Sequence, residues 1–218
     1  MSVSVRQPSL FDVGPRVLID DDQGGVTYRP DVVDLAAAAR WFDALRDSVA
    51  WQAMRRPMYD RVVDVPRLVS AYRLESDSLP GPLADVAALM RAELGEPFNT
   101  VGLNYYRDGN DSVAPHNDKL QTLVPGHPIA LLSLGATRRM TIRAKHLPGV
   151  PALKALTIDL EPGSVLAMSY ESQLHYDHGI PKTRDGVGPR ISLAFRVRPA
   201  DHRSRLTDRS LQPARPGS

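Results

Sequence analysis

From Asp31 to Val49 the chain carries DLAAAARWFDAL and its continuation, in which Phe42, Leu45 and Val49 fall on one face. That spacing predicts an amphipathic helix. A second helix is predicted over 82–94. Pro82 suits its first turn, Leu83, Val86, Met90 and Leu94 line one side, and Gly95 can cap its end. Ahead of both, RVLID (16–20) and GVTYR (25–29) read as two short strands around a turn. Beyond Gly95 the pattern becomes one of strands: TVGLNYY (100–106), IALLSLG (129–135), RMTIRAK (139–145), ALTIDL (155–160), SVLAMSY (164–170), LHYDHGI (174–180) and RISLAFRVR (190–198). The turns EPG and RDGVGP punctuate them.

Helices first and many short strands afterwards predict a mainly β fold of the α+β class, with helices packed on a double-sheet core such as a jelly roll. Residues 1–14 are expected to form a flexible N-terminal arm, 15–198 a single domain, and the Pro/Arg/Ser-rich 199–218 a disordered tail. There is no internal repeat.

Composition narrows the classes of function. A chain of 218 residues can bury a real core. The absence of cysteine excludes disulfide frameworks, thiolate zinc sites and cysteine nucleophiles, and is compatible with a reducing cytoplasm, where the protein is expected to work as a monomer. No stretch approaches the roughly 18 consecutive apolar residues of a membrane span. The first residues lack the apolar centre of a secretion signal. The net charge of +2 is small, but a pI near 9.0 leaves nucleic acid open as a partner, so the distribution of charge must decide.

Candidate chemistry begins in NYYRDGNDSVAPHNDKLQ (104–121). His116 and Asp118 stand two apart, which on extended chain puts both side chains on one face. With a distant second histidine such a pair can form the facial triad of a non-haem Fe(II) site. Taken alone the pair is commonplace, and His175-x-Asp177 is a second copy. The first copy has further strands and His178 downstream, whereas the second, apart from the adjacent His178, is followed only by His202 in the tail. His175 and His178 compete for the third position, and spacing alone leaves that open.

RISLAFR (190–196) has an arginine at each end. Six residues is an even interval, so Arg190 and Arg196 share a face while Ile191, Leu193 and Phe195 take the other. Two buried guanidiniums require anions; either internal carboxylates or a bound dicarboxylate would serve. Asn104 and Tyr106 alternate in phase and can offer an amide and a phenol to the same ligand, or serve as ordinary strand polar groups.

Asn104-x-Tyr106, His116-x-Asp118, His178, then Arg190 and Arg196, with SLGATRRMTIRAK and PRISLAFR, resembles the AlkB-type Fe(II)/2-oxoglutarate dioxygenases, oxidative dealkylases of nucleic-acid bases. The likeness is clearest over 99–198. It implies a double-stranded β-helix (jelly-roll) core with an N-terminal substrate-recognition lid within 15–98. It implies Fe(II) on His116, Asp118 and His178, 2-oxoglutarate on Arg190, Arg196, Asn104 and Tyr106, and O2 as co-reactant. The activity implied is removal of alkyl groups from bases such as 1-methyladenine or 3-methylcytosine. Leu120 stands where base-repairing members often carry an acid, two residues past the metal Asp.

In the lid region, residues 51–73 interleave Trp51, Tyr59 and Tyr72 with Arg55, Arg56, Arg61, Arg67 and Arg73. Rings can sandwich a flipped base and arginines meet phosphates, so Trp51, Arg56, Tyr59 and Tyr72 are the substrate-binding candidates; amphipathic strands with charged outer faces are the plainer account. Arg138, Arg139, Arg143 and Lys145 form a second basic strand. Two other functions fit parts of the pattern: a hydroxylase of a protein or small molecule with the same cofactors, and a non-catalytic nucleic-acid-binding module.

Overall fold

The computed structural model describes residues 14–58, 61–145 and 155–200, with backbone alone at 56–58 and 61–64. Most of the expected arm and tail, Tyr59, and the side chains of Arg56 and Arg61 lie outside what is described.

Two antiparallel sheets make the body of the protein. The larger has eight strands: β1 (Arg16–Asp21), β2 (Gly24–Arg29), β3 (Gln52–Met58), β4 (Arg61–Arg73), β5 (Thr100–Tyr106), β7 (Ile129–Gly135), β10 (Val165–Met168) and β12 (Arg190–Arg196). Their spatial order is β1-β2-β10-β7-β12-β5-β4-β3. The smaller sheet runs in the order β6 (Val113–His116), β11 (Tyr176–Ile180), β8 (Arg138–Ala144), β9 (Leu156–Leu160). After β5 the chain passes back and forth between the sheets, with only β8 and β9 consecutive in the smaller one, the double-stranded β-helix arrangement of a jelly roll.

Helices α1 (Leu35–Ser48) and α2 (Leu83–Leu94) cover the outer face of the large sheet. α1 starts four residues after Asp31, where the helical pattern begins, because Asp34 caps it, its carboxylate accepting from the Ala37 N–H at 2.9 Å. α2 ends as expected at Gly95, which takes φ 67° and donates to the Arg91 carbonyl. Ile191, Leu193 and Phe195 of β12 pack with Phe42, Leu45, Met90 and Phe98 in the core beneath these helices. The other face of the large sheet meets the small one through Tyr106, Leu166, Met168, Met140, Ile142 and Ile180. Every strand of the large sheet near β12 therefore has two buried faces, which is why IALLSLG reads as a nearly unbroken apolar run.

One expected strand is shorter than its pattern. LHYDHGI becomes a single helical turn, α3 (Ser172–His175), followed by β11. The Ser172 hydroxyl donates to the Ser169 carbonyl at 2.7 Å and the Ser169 hydroxyl accepts from the Ser172 N–H at 3.1 Å. These local bonds satisfy the backbone without a ladder and turn the chain before the strand begins. The lid region also resolves into regular structure: β3 and β4 form an antiparallel hairpin that extends the large sheet to its edge.

Candidate active site

The floor of the site is the inter-sheet face of β5 and β12. In register, Arg190 lies opposite Tyr106, Ser192 opposite Asn104, Ala194 opposite Gly102 and Arg196 opposite Thr100. The even spacing of the two arginines thus places both on this face, away from the helices. A Cβ on Gly102 would stand 3.4 Å from Arg196 Nη1, so the glycine leaves room for that guanidinium.

Arg190 is the largest fully buried side chain, at 0% exposure. Its Nη2 donates to Ser133 Oγ at 2.9 Å, and its guanidinium lies 5.3 Å from the centre of the Tyr106 ring. Its Nε and Nη1 are buried without any hydrogen-bond partner, and no carboxylate pairs with it among the described residues. Burial pulls its pKa down to about 10, with Tyr106 opposing the shift and the charge of Arg138 adding to it, so it remains a cation at neutral pH. A desolvated guanidinium with two idle nitrogens is destabilising by several kcal/mol unless an anion joins it. The plainer option, pairing with internal carboxylates, is absent at Arg190.

That option is taken by Arg196. Its Nη2 reaches Asp118 Oδ1 at 2.9 Å and Oδ2 at 2.8 Å, and its Nε reaches Oδ2 at 3.2 Å. Burial would raise the Asp118 carboxyl, but the charge and hydrogen bonds of Arg196, helped by His178 and His116, hold it below the usual carboxylate range.

His116 ends β6 and lies directly across the ladder from His178 on β11, the two rings 4.6 Å apart. His116 is exposed, and its Nδ1 sits 3.0 Å from the Ala114 carbonyl. A carbonyl can only accept, so Nδ1 is the donor there and, in the neutral tautomer, Nε2 is the nitrogen with a lone pair for a metal. His178 is 6% exposed, and burial followed by the His116 charge lowers its pKa to about 4 against the pull of Asp118. Its imidazole is therefore neutral, the form that binds metal.

His178, not His175, faces His116. His175 sits half-buried at the end of α3, and Asp177 lies on the opposite side of β11, across from Arg143. The second His-x-Asp copy is thereby split by the turn.

The donor set of two imidazoles and one carboxylate suits Fe(II), and the two idle nitrogens of Arg190 suit a carboxylate of 2-oxoglutarate. Among the described residues no three His, Asp or Glu side chains already converge on one point. Coordination would draw on the same Asp118 oxygens that Arg196 holds.

Asn104 lies on the site face, its carbonyl oxygen accepting from Arg67 Nε at 2.7 Å. Tyr106 is 3% exposed, with the Arg138 and Arg190 guanidiniums 5.5 and 5.3 Å from its ring centre. Among the described residues, the lid aromatics Trp51 and Tyr72 are not brought here. Tyr72 pairs with Val101, and both belong to the helix-covered face. Trp51 packs on Tyr105 at 5.2 Å and donates its indole N–H to the Arg46 carbonyl. The reason is the period of two: Tyr105 and Tyr72 occupy the phase opposite to Asn104 and Arg196.

The second basic strand also changes character. Arg138 is 2% exposed and donates to the carbonyls of Asp108, Asp111 and Pro181, binding the loop after β5 to the chain after β11. Lys145 Nζ donates to the carbonyls of Gln173 and Leu174 at the end of α3. Arg139 pairs with Asp159. Only the odd positions 139, 141 and 143 turn outward, while 138, 140 and 142 face the core.

Two contributors escape sequence reasoning. Ser133 is a polar residue inside an apolar strand, a legible signal once Arg190 is known to need a partner. Gln173, 1% exposed, accepts the Asp118 N–H at 3.0 Å, a bond spanning 55 positions that no local pattern announces.

A jelly roll that combines a paired histidine ladder with a buried arginine lacking a carboxylate partner defines a class that comparison with known proteins makes specific. Residues 25–196 match the family described as the 2OG-Fe(II) oxygenase superfamily. Human DNA oxidative demethylase ALKBH2 is 35% identical over 105 residues, 47% of this chain and 40% of that protein. Alpha-ketoglutarate-dependent dioxygenase alkB homolog 3 of Bos taurus is 31% identical over 185 residues, 77% of this chain and 64% of that protein. The structure of OsALKBH1 superposes with a TM-score of 0.59 at 13% identity, covering 84% of this chain and 100% of that one. A 2OG-Fe(II) oxygenase family oxidoreductase from Burkholderia pseudomallei gives 0.51 at 15% identity, over 78% and 84% of the two chains.

The chain belongs to the 2OG-Fe(II) oxygenase superfamily, as an AlkB-type member. It spans 40% of the human ALKBH2 length and 64% of the bovine alkB homolog 3.

Proposed function

We propose that this protein removes alkyl groups oxidatively from N-alkylated bases of DNA or RNA, such as 1-methyladenine and 3-methylcytosine. The observation that carries the reading is Arg190, a fully buried cation with two unpartnered nitrogens on the same strand face as Arg196, which holds Asp118. The relatives named as DNA oxidative demethylases supply the substrate class.

In this reading His116, Asp118 and His178 hold the metal. Arg190 forks onto the distal carboxylate of 2-oxoglutarate, with Ser133 fixing the guanidinium from behind. Arg196, paired with Asp118, would serve the metal-facing end of that ligand, and Asn104 and Tyr106 would complete its site. Fe(II) with 2-oxoglutarate and O2 supplies the oxidation, whose co-products are succinate and CO2, and a hydroxylated N-methyl group leaves as formaldehyde. The residues contribute placement: sheet-borne side chains fix the cosubstrate, and the open side at exposed His116 admits the base. A base in a duplex reaches that opening only when flipped or unpaired.

A second reading keeps the cofactors and makes the substrate a protein side chain or a small molecule. Leu120 in place of an acid, and Trp51 and Tyr72 packed on the helix side, favour it. One assay distinguishes the two. The iron-loaded protein is incubated with 2-oxoglutarate and oligonucleotides bearing 1-methyladenine or 3-methylcytosine, and methyl loss and succinate are followed. Methyl loss supports base repair; stimulated succinate release without methyl loss with either lesion, but with a peptide or metabolite, transfers the assignment to the second reading.

A further inference from the structure

Asp118 is held at two places. Arg196 takes its carboxylate, and the side chain of Gln173 takes its backbone, Oε1 accepting the Asp118 N–H at 3.0 Å. Gln173 is itself immobilised: it is 1% exposed, and its Nε2 donates to Ser172 Oγ at 3.1 Å. That hydroxyl donates in turn to the Ser169 carbonyl, and Lys145 Nζ ties off the Gln173 and Leu174 carbonyls. The amide's orientation is thereby set, because its nitrogen faces a hydroxyl whose proton is already committed and its oxygen faces an N–H donor.

The position in the chain gives the contact its consequence. Gln173 lies five residues before His178, on the turn that delivers the chain into β11. Asp118 lies two residues beyond His116, on the loop leaving β6. β6 and β11 are joined at His116 and His178, but the pairing is irregular between His178 and Ile180, and Asp118 lies past the end of the ladder. The strand ladder thus positions the two imidazoles and leaves the carboxylate residue to a side chain.

We propose that Gln173 is a positioning residue for the metal site: it clips the Asp118 backbone to the turn before β11 and so sets the separation of the carboxylate from the two histidines. This rests on the reading of His116, Asp118 and His178 as the metal ligands. Gln173 touches neither metal nor substrate; it acts through the backbone of Asp118. Outer partners of this kind typically alter metal affinity by about 10–100-fold when removed.

The test uses the full chain, Co(II) alone as the probe, and three proteins: wild type, Gln173→Met and His116→Ala. Gln173→Met keeps the length and loses the strong acceptor. Its Co(II) dissociation constant should rise at least about tenfold, with a shifted visible d–d band, while its circular dichroism stays that of wild type. His116→Ala should lose the band altogether. If Gln173→Met binds Co(II) with wild-type affinity and band while His116→Ala does not, the positioning role is overturned and the ligand assignment stands. If His116→Ala binds as wild type does, the ligand assignment itself fails and the inference fails with it. Should Gln173→Met not fold, hydrogen exchange at the wild-type Asp118 amide decides. Protection there supports the clip, and exchange at the rate of a free amide overturns it.

Discussion

Arg196 grips both carboxylate oxygens of Asp118, at 2.9 and 2.8 Å, in the interior between the sheets. The pair is mostly buried, the side chains being 13% and 16% exposed, so losing one partner strands a charge in a poorly solvated place. Arg196→Gln should lower the metal-free stability by about 3 kcal/mol. Added Mn(II) should restore more stability to this variant than it adds to wild type, because the metal no longer shares the carboxylate with a guanidinium. Thermal melts with and without Mn(II) check both parts; equal metal-induced shifts in the two proteins would refute the sharing.

Arg190 presents the opposite case, a buried cation with no carboxylate to pair with among the described residues. Arg190→Met fills similar space without a charge, and the metal-free protein should become more stable by about 1–4 kcal/mol. The same substitution should abolish stabilisation by 2-oxoglutarate, which in wild type reaches about 2.7 kcal/mol at a hundred times its dissociation constant. A variant that melts lower and still responds to 2-oxoglutarate would remove Arg190 from the cosubstrate pocket.

Gly179 lets β6 approach β11. A Cβ there would meet the Val113 carbonyl oxygen at 2.9 Å and the Pro115 nitrogen at 3.0 Å, both backbone atoms that cannot swing aside. Gly179→Ala should therefore push the two strands apart beside the His116–His178 pair and weaken Co(II) binding several-fold, while the large-sheet core is untouched. Titration of the variant followed by visible absorption measures this, and unchanged affinity would mean that the ladder has slack.

Acid sensitivity should trace in part to Asp111. Burial would raise its carboxyl, but hydrogen bonds from the Arg107 side chain and backbone N–H, with the charges of Arg107 and Arg138, hold it below the ordinary range. A depressed folded pKa gives stability that is present above the unfolded value, about 3.9, and is lost as pH falls through the folded one. Asp111→Asn should cost about 1–3 kcal/mol at pH 7 and flatten the acid limb of the stability curve. Urea melts from pH 7 down to pH 3 would show an unchanged limb if Asp111 is not responsible.

Oligonucleotide binding should weaken as salt rises, with a linear fall of log affinity against log salt, since phosphate contacts release counterions. Exposed Arg143 stands on the outward face of β8. Arg143→Ala should make the slope shallower by up to about one if that face borders the nucleic acid, and leave it unchanged if it does not.

What could be read from the chain was whatever repeats locally. The 3.6 and 2 periods foretold α1, α2 and most of the core strands, and the even interval from Arg190 to Arg196 foretold their common face, because side-chain direction in a strand is a matter of parity. Parity also decided Trp51's neighbour Tyr105 and Tyr72 against the site, but only after pairing with β5 revealed which face was which. The family resemblance of the spaced His, Asp and Arg residues named the chemistry.

Tertiary structure decided the rest, since it depends on contacts between segments far apart in sequence. It set His178, not His175, across from His116 by ending a turn at Tyr176, gave Arg196 a carboxylate and left Arg190 without one among the described residues, and took Arg138 inside to bind three carbonyls. It also brought Gln173 to the Asp118 amide. Periodicity tells which way a side chain points, but a hydrogen-bond partner or an unmet charge exists only once the sheets have closed on each other.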